Sequence, residues 1–355
     1  MRFGFSGVNM SGRVADFRDV VELAKFCDGL GFDFYGFTDQ FRDVFVTASL
    51  CALNTKRLAV GPMASTPWHR HPATLARGVA TIDEVSGGRA NLTLCRGNPH
   101  MGPRQFGYDT SRAPEIIREA VVLIKEFLKG DPVDFHGQFF NVDRIPIGVK
   151  CRKDIPIYVA TDGAKALKAA GEVADGVVTL NTDEELFKKT VAIIKEGAKR
   201  AGRSLDNFEI IVQPRTEVAR TQEELRKARH RARSHIIQHV LRASDEWMER
   251  RGVSIESIRR LREFHKEHDS LRHAHYVVKQ DDQYSREGQD VVTEEMFQVF
   301  SIIGDEDYVI DRLESLQRLG ATGVSVWTIP WVMDEKKRAI KAFAEGVLPH
   351  FRQQN

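Results

Sequence analysis

Apolar positions in this chain switch repeatedly between two spacings. Short, nearly continuous runs of Val, Ile, Phe and Leu are followed by longer stretches in which apolar residues return every third or fourth place. The short runs suit strands buried on both faces, and the longer period suits helices that cover them. Arg2 to Ser6 is the first predicted strand. In the helix after it, Asp16 to Leu30, the residues Phe17, Val20, Val21, Leu23, Ala24, Cys27 and Leu30 share a stripe that ends at Gly31. The same alternation predicts strands at Phe34 to Phe37, Arg57 to Val60, Asn91 to Cys95, Ile157 to Ala160, Gly176 to Leu180, Glu209 to Val218 and Val324 to Thr328. Helices are predicted at Val46 to Leu53, Ala73 to Val85, Ala113 to Leu128, Lys165 to Val173, Asp183 to Arg200 and Asp334 to about His350. Eight strands alternating with helices predict an α/β fold of the (β/α)8 TIM-barrel kind.

Two stretches depart from the alternation. GDPVDFHGQFFNV (130–142) carries turn residues towards both ends and reads as an excursion. Residues 220–300 are highly charged and helix-prone, with no strand-like run. They read as a helical insertion between strand seven and its helix, within one barrel domain spanning 1–355. Insertions of this kind sit over the C-terminal face of a barrel, where they can lid a site.

Composition narrows the picture by exclusion. A net charge of +2 gives no pull towards nucleic acid or an anionic membrane. No apolar run approaches the roughly 20 residues that span a bilayer, and the opening MRFGFSG lacks the apolar core of a signal peptide. Cys27, Cys51, Cys95 and Cys151 are scattered without a pairing or metal motif, as expected of buried thiols in a reducing cytoplasm.

In a barrel the residues just after each strand face the active site. Here they are Ser6-Gly7, Thr38-Asp39-Gln40, Pro62 to Thr66, Arg96 to His100, Thr161-Asp162-Gly163, Asn181-Thr182, Gln213-Pro214-Arg215 and Ile329-Pro330-Trp331. The set is polar, yet it contains no paired catalytic carboxylates, no Ser-His-Asp arrangement and no nucleophile elbow. Small residues and backbone-rich turns dominate, which suits holding a flat, phosphorylated cofactor. TDGAK (161–165) is a strand-to-helix turn that either offers backbone N–H groups to an anion or is capped by Asp162.

Six stretches, in order along the chain, carry a family resemblance: FTDQF (37–41), AVGPMASTPWHRHPATLA (59–76), DEVSGGRANLTLCRGNP (83–99), GDPVDFHGQFF (130–140), VATDGAKALKAAGEVADGVV (159–178) and IIGDEDYVIDRLESLQRLGATGV (302–324). The chain resembles the bacterial luciferase-like superfamily of flavin- and deazaflavin-dependent oxidoreductases over essentially its whole length, with its strand-four turn nearest the branch of methylenetetrahydromethanopterin reductase. The resemblance implies a barrel binding coenzyme F420 (a 5-deazaflavin) or FMN at its C-terminal face, with a small-molecule substrate and a homodimeric assembly. It implies a non-prolyl cis peptide at Met63–Ala64, behind the ring. Carried over residue by residue, it makes Asp39, Met63, Ala64, Thr66, Arg96, Gly97, Asp162, Gly163, Lys165 and Ala166 the cofactor-binding set, and implies no metal.

Two positions break the pattern of the family's sugar-phosphate dehydrogenases. Gln40 stands where they have a catalytic His, and Asn98 where they have a catalytic Glu. Neither amide can exchange a proton near neutral pH, although both can orient a carbonyl or ring nitrogen. Gln40 and Asn98 are therefore weak catalytic candidates. Three readings follow: hydride transfer between the deazaflavin and a small organic substrate; an FMN monooxygenase supplied by a flavin reductase; or cofactor binding without turnover.

Other residues admit two readings each. His69 and His71 are proton donors beside the ring or cap and pack the third helix. His100 is a substrate contact or a solvated loop residue. His265, His268, His273 and His275 form a metal site or, as the surrounding charge favours, a solvated helical surface. The cations from Arg226 to Arg233 bind an anionic tail or form a solvated face. Trp68, Trp327 and Trp331 wall a pocket or pack the core.

Overall fold

The computed structural model describes residues 1–7, 16–39, 42–97, 107–241, 244–268, 283, 285–327 and 332–352. Among the described residues eight parallel strands close into a barrel: β1 (Arg2–Gly7), β2 (Phe34–Phe37), β3 (Ala59–Ser65), β4 (Leu92–Cys95), β7 (Ile157–Ala160), β8 (Gly176–Thr179), β9 (Glu209–Val212) and β12 (Gly323–Val326). The predicted TIM-barrel class is therefore the observed one. The ring closes where β1 meets β12, with the Arg2 N–H donating to the Thr322 carbonyl at 2.9 Å. Phe34, Met63, Tyr158, Val178 and Ile211, each from a different strand, fill the interior. Gly36 makes room for one of them, since a Cβ there would stand 2.5 Å from the Cβ of Met63.

The covering helices begin and end on local chemistry. In α1 (Phe17–Gly29), Asp16 and Asp19 form a reciprocal capping box. The next helices are α2 (Val44–Leu53) and α3 (Pro72–Ser86), the latter closed by Gly87 in the left-handed region at φ 68°. Then come α4 (Ala113–Leu128), α5 (Ala164–Val173) and α6 (Glu184–Arg200). The excursion after α4 is an antiparallel hairpin, β5 (Val133–His136) with β6 (Asn141–Ile145). Glu119 of α4 clasps its turn, accepting the N–H groups of Gln138, Phe139 and Phe140 at 2.8 to 2.9 Å.

The predicted seventh strand, Glu209 to Val218, is two strands. The barrel member β9 stops at Val212, and β10 (Arg215–Val218) pairs instead, in parallel, with β11 (Ser301–Gly304). Pro214 lies at the break, and without an N–H it cannot continue a central ladder. Backbone contacts divide the chain into two compact units at this point. One comprises Met1–Gln213 with Leu319–Ser325, and the other Pro214–Arg318 with Val326–Asn355.

The second unit contains the predicted insertion and has its own core. Its helices are α7 (Gln222–Val240), α8 (Asp245–Glu249), α9 (Ile255–Glu267), α10 (Glu294–Phe300), α11 (Glu306–Arg318), α12 (Met333–Gly346) and α13 (Leu348–Arg352). Ala228, Ala232, Ile236, Ile237 and Val240 form a buried stripe on α7, packed with Met248, Ile258, Leu261, Met296 and Phe297. No helix among the described residues is long and apolar enough to cross a membrane.

Candidate functional site

The C-terminal ends of the barrel strands bring together most of the residues singled out from the sequence. At the end of β3 the Met63–Ala64 bond is cis, as the resemblance implies, and the pairing register with β4 shifts between Met63 and Ser65. The irregular strand end meets β2 through Asp39, whose N–H reaches the Ala64 carbonyl at 3.3 Å. Its carboxylate accepts the Ser65 hydroxyl at 2.7 Å. Thr66 follows, buried, and its hydroxyl oxygen accepts the His69 N–H at 3.3 Å.

Gly97, after β4, adopts φ 78°, a conformation that favours glycine, and a Cβ there would stand 3.1 Å from the Thr66 methyl. Its N–H donates to the Cys95 sulfur at 3.2 Å. Burial pushes the Cys95 thiol up to about 11, with the neighbouring Asp39 charge adding to the rise. The sulfur is therefore a neutral thiol at physiological pH and no nucleophile. Arg96 is exposed on the rim beside it.

Across the ring, the turn after β7 is built to leave a helix start uncovered. The N-cap of α5 is Gly163, with no side-chain cap. Asp162 is turned towards β8, where it accepts the Thr179 hydroxyl and the Leu180 N–H, both at 2.8 Å. Asp162 is thus a strut between two strand ends, and at the start of α5, which carries Lys165 and Ala166, the Gly163 N–H donates to the Thr161 hydroxyl at 3.2 Å. Between β9 and β1, the Gln213 side-chain amide donates to the Ser6 hydroxyl at 2.7 Å.

Gln40, Asn98, His100, His273, His275 and Trp331 lie outside the described residues. Of the remaining candidates, His71 caps α3, its Nδ1 accepting the Ala73 N–H at 3.1 Å. Burial holds its pKa below the usual histidine value. His69 packs on the Tyr108 ring, 5.5 Å between centroids. His268 meets Glu287 at 3.0 Å and stacks on Phe264. No cluster of three or more His, Cys, Asp or Glu able to hold a metal occurs among the described residues.

Arg226, Lys227, Arg229 and Arg231 of the basic run of α7 are committed to ion pairs within their own unit. Arg229 grips Glu294 with two 2.7 Å bonds, and Arg231 pairs with the buried Glu217. Trp68 donates its indole N–H to the Asp109 carbonyl at 3.2 Å. Trp327 is covered by Arg215, 3.2 Å from guanidinium carbon to ring centre, with His235 on its edge. Sequence reasoning missed Cys95 and Thr179, which hold Gly97 and Asp162, and gave Ser65, inside the selected stretch Pro62 to Thr66, no bond to Asp39. Their signal is positional: each is the last residue of a barrel strand.

The family model for luciferase-like monooxygenases matches residues 1–323. The chain belongs to that family. A luciferase-like chain of this kind is an oxidoreductase, in keeping with its relatives. It is 28% identical over 353 residues to 5,10-methylenetetrahydromethanopterin reductase of Methanopyrus kandleri, covering 94% of this chain and 95% of that one. It is 31% identical over 215 residues to the F420-dependent glucose-6-phosphate dehydrogenase of Mycolicibacterium fortuitum, covering 55% of this chain and 63% of that one. Among solved structures, the coenzyme F420 dependent tetrahydromethanopterin reductase from Methanopyrus kandleri superposes with a TM-score of 0.80, at 27% identity over 99% of both chains.

Proposed function

We propose that this luciferase-like protein is a reductase or dehydrogenase that moves hydride between coenzyme F420 and a small organic substrate. The observation that carries the proposal is the uncapped start of α5 at Gly163, with Asp162 drawn aside to Thr179 and Leu180. A cofactor phosphate fits a helix start left open in this way. Similarity over 99% of both chains to a coenzyme F420 dependent tetrahydromethanopterin reductase supports the deazaflavin over FMN.

When bound, the deazaflavin supplies two-electron hydride chemistry. The chain's residues position and exclude. Gly163, Lys165 and Ala166 hold the phosphate, Asp162 keeps their turn open, and Met63 with Ala64 form the surface behind the ring. Asp39, fixed by Ser65, and Thr66 and Gly97 border the ring, with Arg96 at the rim. Gln40 and Asn98 orient the reacting carbonyl or ring without moving a proton. The neutral Cys95 thiol lines the site without competing as a nucleophile.

The family's own description favours one other reading, an FMN monooxygenase that receives reduced flavin from a separate reductase and reacts with oxygen. Titration of the apoprotein with each cofactor in both redox states, read by fluorescence, separates the two. F420 binding without FMN binding supports hydride transfer. Oxygen uptake with reduced FMN and no F420 binding would overturn it. Binding of F420 without turnover of any carbonyl, alcohol or imine offered would leave a carrier in place of an enzyme. The assembly proposed is a homodimer.

A further inference from the structure

We propose that β12 is a movable stave of the barrel and that β1 is clasped directly to β9 across it. The strands run in the order β1-β12-β9 around the ring, so β1 and β9 are not neighbours. Two side-chain bridges nevertheless join them. At the N-terminal end Arg2 Nη1 donates to both carboxylate oxygens of Glu209, at 2.7 and 2.9 Å. The Tyr158 hydroxyl of β7 adds a bond to the same carboxylate at 3.2 Å. At the C-terminal end the Gln213 amide donates to the Ser6 hydroxyl at 2.7 Å. Each bridge joins residues 207 apart in sequence, so the two stand in register at opposite ends of one pair of strands.

The inward face of β12 leaves room for both bridges. Side chains alternate between the two faces of a strand. Gly323 is registered with Ile211, which fills the interior, so Gly323 and Ser325 are the inward positions of β12. A Cβ on Gly323 would stand 3.2 Å from the Ile211 side chain and 3.4 Å from the Arg2 carbonyl oxygen. The Ser325 hydroxyl meets the Met63 sulfur at 3.7 Å, a weak acceptor. β12 thus puts no large side chain into the ring.

Its moorings lie at its flanks. Before it, the Thr322 N–H donates to the Ile210 carbonyl at 2.9 Å, and the Ile210 N–H returns to the Thr322 hydroxyl at 2.8 Å. After it, the Trp327 N–H reaches the Pro214 carbonyl at 3.3 Å. The path of the chain also sets this strand apart. Leu319–Ser325 enters the first unit from the second and leaves it again at Val326, whereas β1 and β9 belong to the unbroken run Met1–Gln213. A stave moored at its ends, without large interior side chains, opens at lower free energy than the strands beside it, and the clasp keeps β1 in place when it does.

Native-state hydrogen exchange on the wild-type protein tests this. Amides of β12 should exchange about tenfold faster than those of β1, and β1 should exchange together with β9 as one cooperative unit. In the Arg2→Met/Ser6→Ala double variant, exchange in β1 should rise to the rate of β12 while β3, β4 and β7 stay protected. Arg2→Lys, which keeps the charge, should restore part of that protection. Amides of β12 as slow as those of β1 in the wild type would overturn the proposal. So would unchanged exchange of β1 in the double variant, or an equal acceleration in every strand, which marks global destabilisation alone. The wild-type comparison needs no variant, so it decides even where circular dichroism shows the double variant misfolded.

Discussion

Asp162 illustrates how little at the residue scale separates a structural turn from a binding one. Had its carboxylate capped α5, the helix start would be closed to an anion. Because it bonds Thr179 and Leu180, removing it should loosen the turn and let the helix start drift. Asp162→Ala should weaken cofactor binding by about tenfold, the worth of roughly one charge-assisted hydrogen bond, measured by fluorescence titration. Thr179→Val should do the same more weakly, because the Leu180 N–H still holds the carboxylate.

His71 gives a pH-dependent prediction. Its Nδ1 must be unprotonated to accept the Ala73 N–H, and burial depresses its pKa in the folded state. Between the depressed folded value and the ordinary value of about 6.5 the unfolded chain binds the extra proton. The cap's contribution is thus complete above that ordinary value and is lost as pH falls below it. His71→Ala should cost about 1 kcal/mol at pH 8 and less at pH 5. His71→Asn, which caps without titrating, should flatten that dependence in thermal or urea melts.

At the scale of elements, the hairpin β5–β6 depends on one side chain from a neighbouring helix. Glu119→Gln keeps an acceptor oxygen but loses the charge shared among three N–H groups, and should cost about 1–2 kcal/mol in denaturant melts. Glu119→Ala should cost more and leave the hairpin open to proteolysis near Gly137.

The elements themselves were largely legible in the sequence, since buried parallel strands announce themselves as short continuous apolar runs. Residues 209–218 misled because β9 and β10 form one unbroken β-favouring run apart from Pro214. The sequence pattern does not say that the ladder changes partner there; only the distant Ser301–Gly304 run, which reads equally as the end of α10, supplies the second edge. The proposed cofactor set comes from the resemblance alone. Its supporting residues were not legible, because the bond from Thr179 to Asp162 joins strand ends whose proximity only the closed barrel creates.

On the scale of the whole molecule, α2 is apolar around its circumference. Val44, Phe45, Ala48, Cys51 and Ala52 are buried, while Val46, Leu50 and Leu53 are exposed on the other face at 55, 37 and 64%. An amphipathic covering helix would place charge there. The proposed homodimer therefore has a natural contact in this stripe, which is free of charge and so able to face its own copy across a two-fold axis. Leu50→Glu/Leu53→Glu should convert the assembly to a monomer in sedimentation experiments while leaving circular dichroism unchanged. A wild-type protein that sediments as a monomer at micromolar concentration would end the dimer proposal.

The closing ladder between β1 and β12 also bears on how the chain is made. During synthesis β1 finds one neighbour, β2, within about thirty residues, but its other neighbour, Gly323–Val326, emerges only some three hundred residues later. Until then the nascent chain carries an open sheet edge of the kind other chains can add to. Arg2, bonded to Glu209 in the finished ring, puts a charge on that early edge. A nascent chain stalled before residue 320 should therefore be a client for chaperones that cover strand edges, and a chain that includes β12 should not.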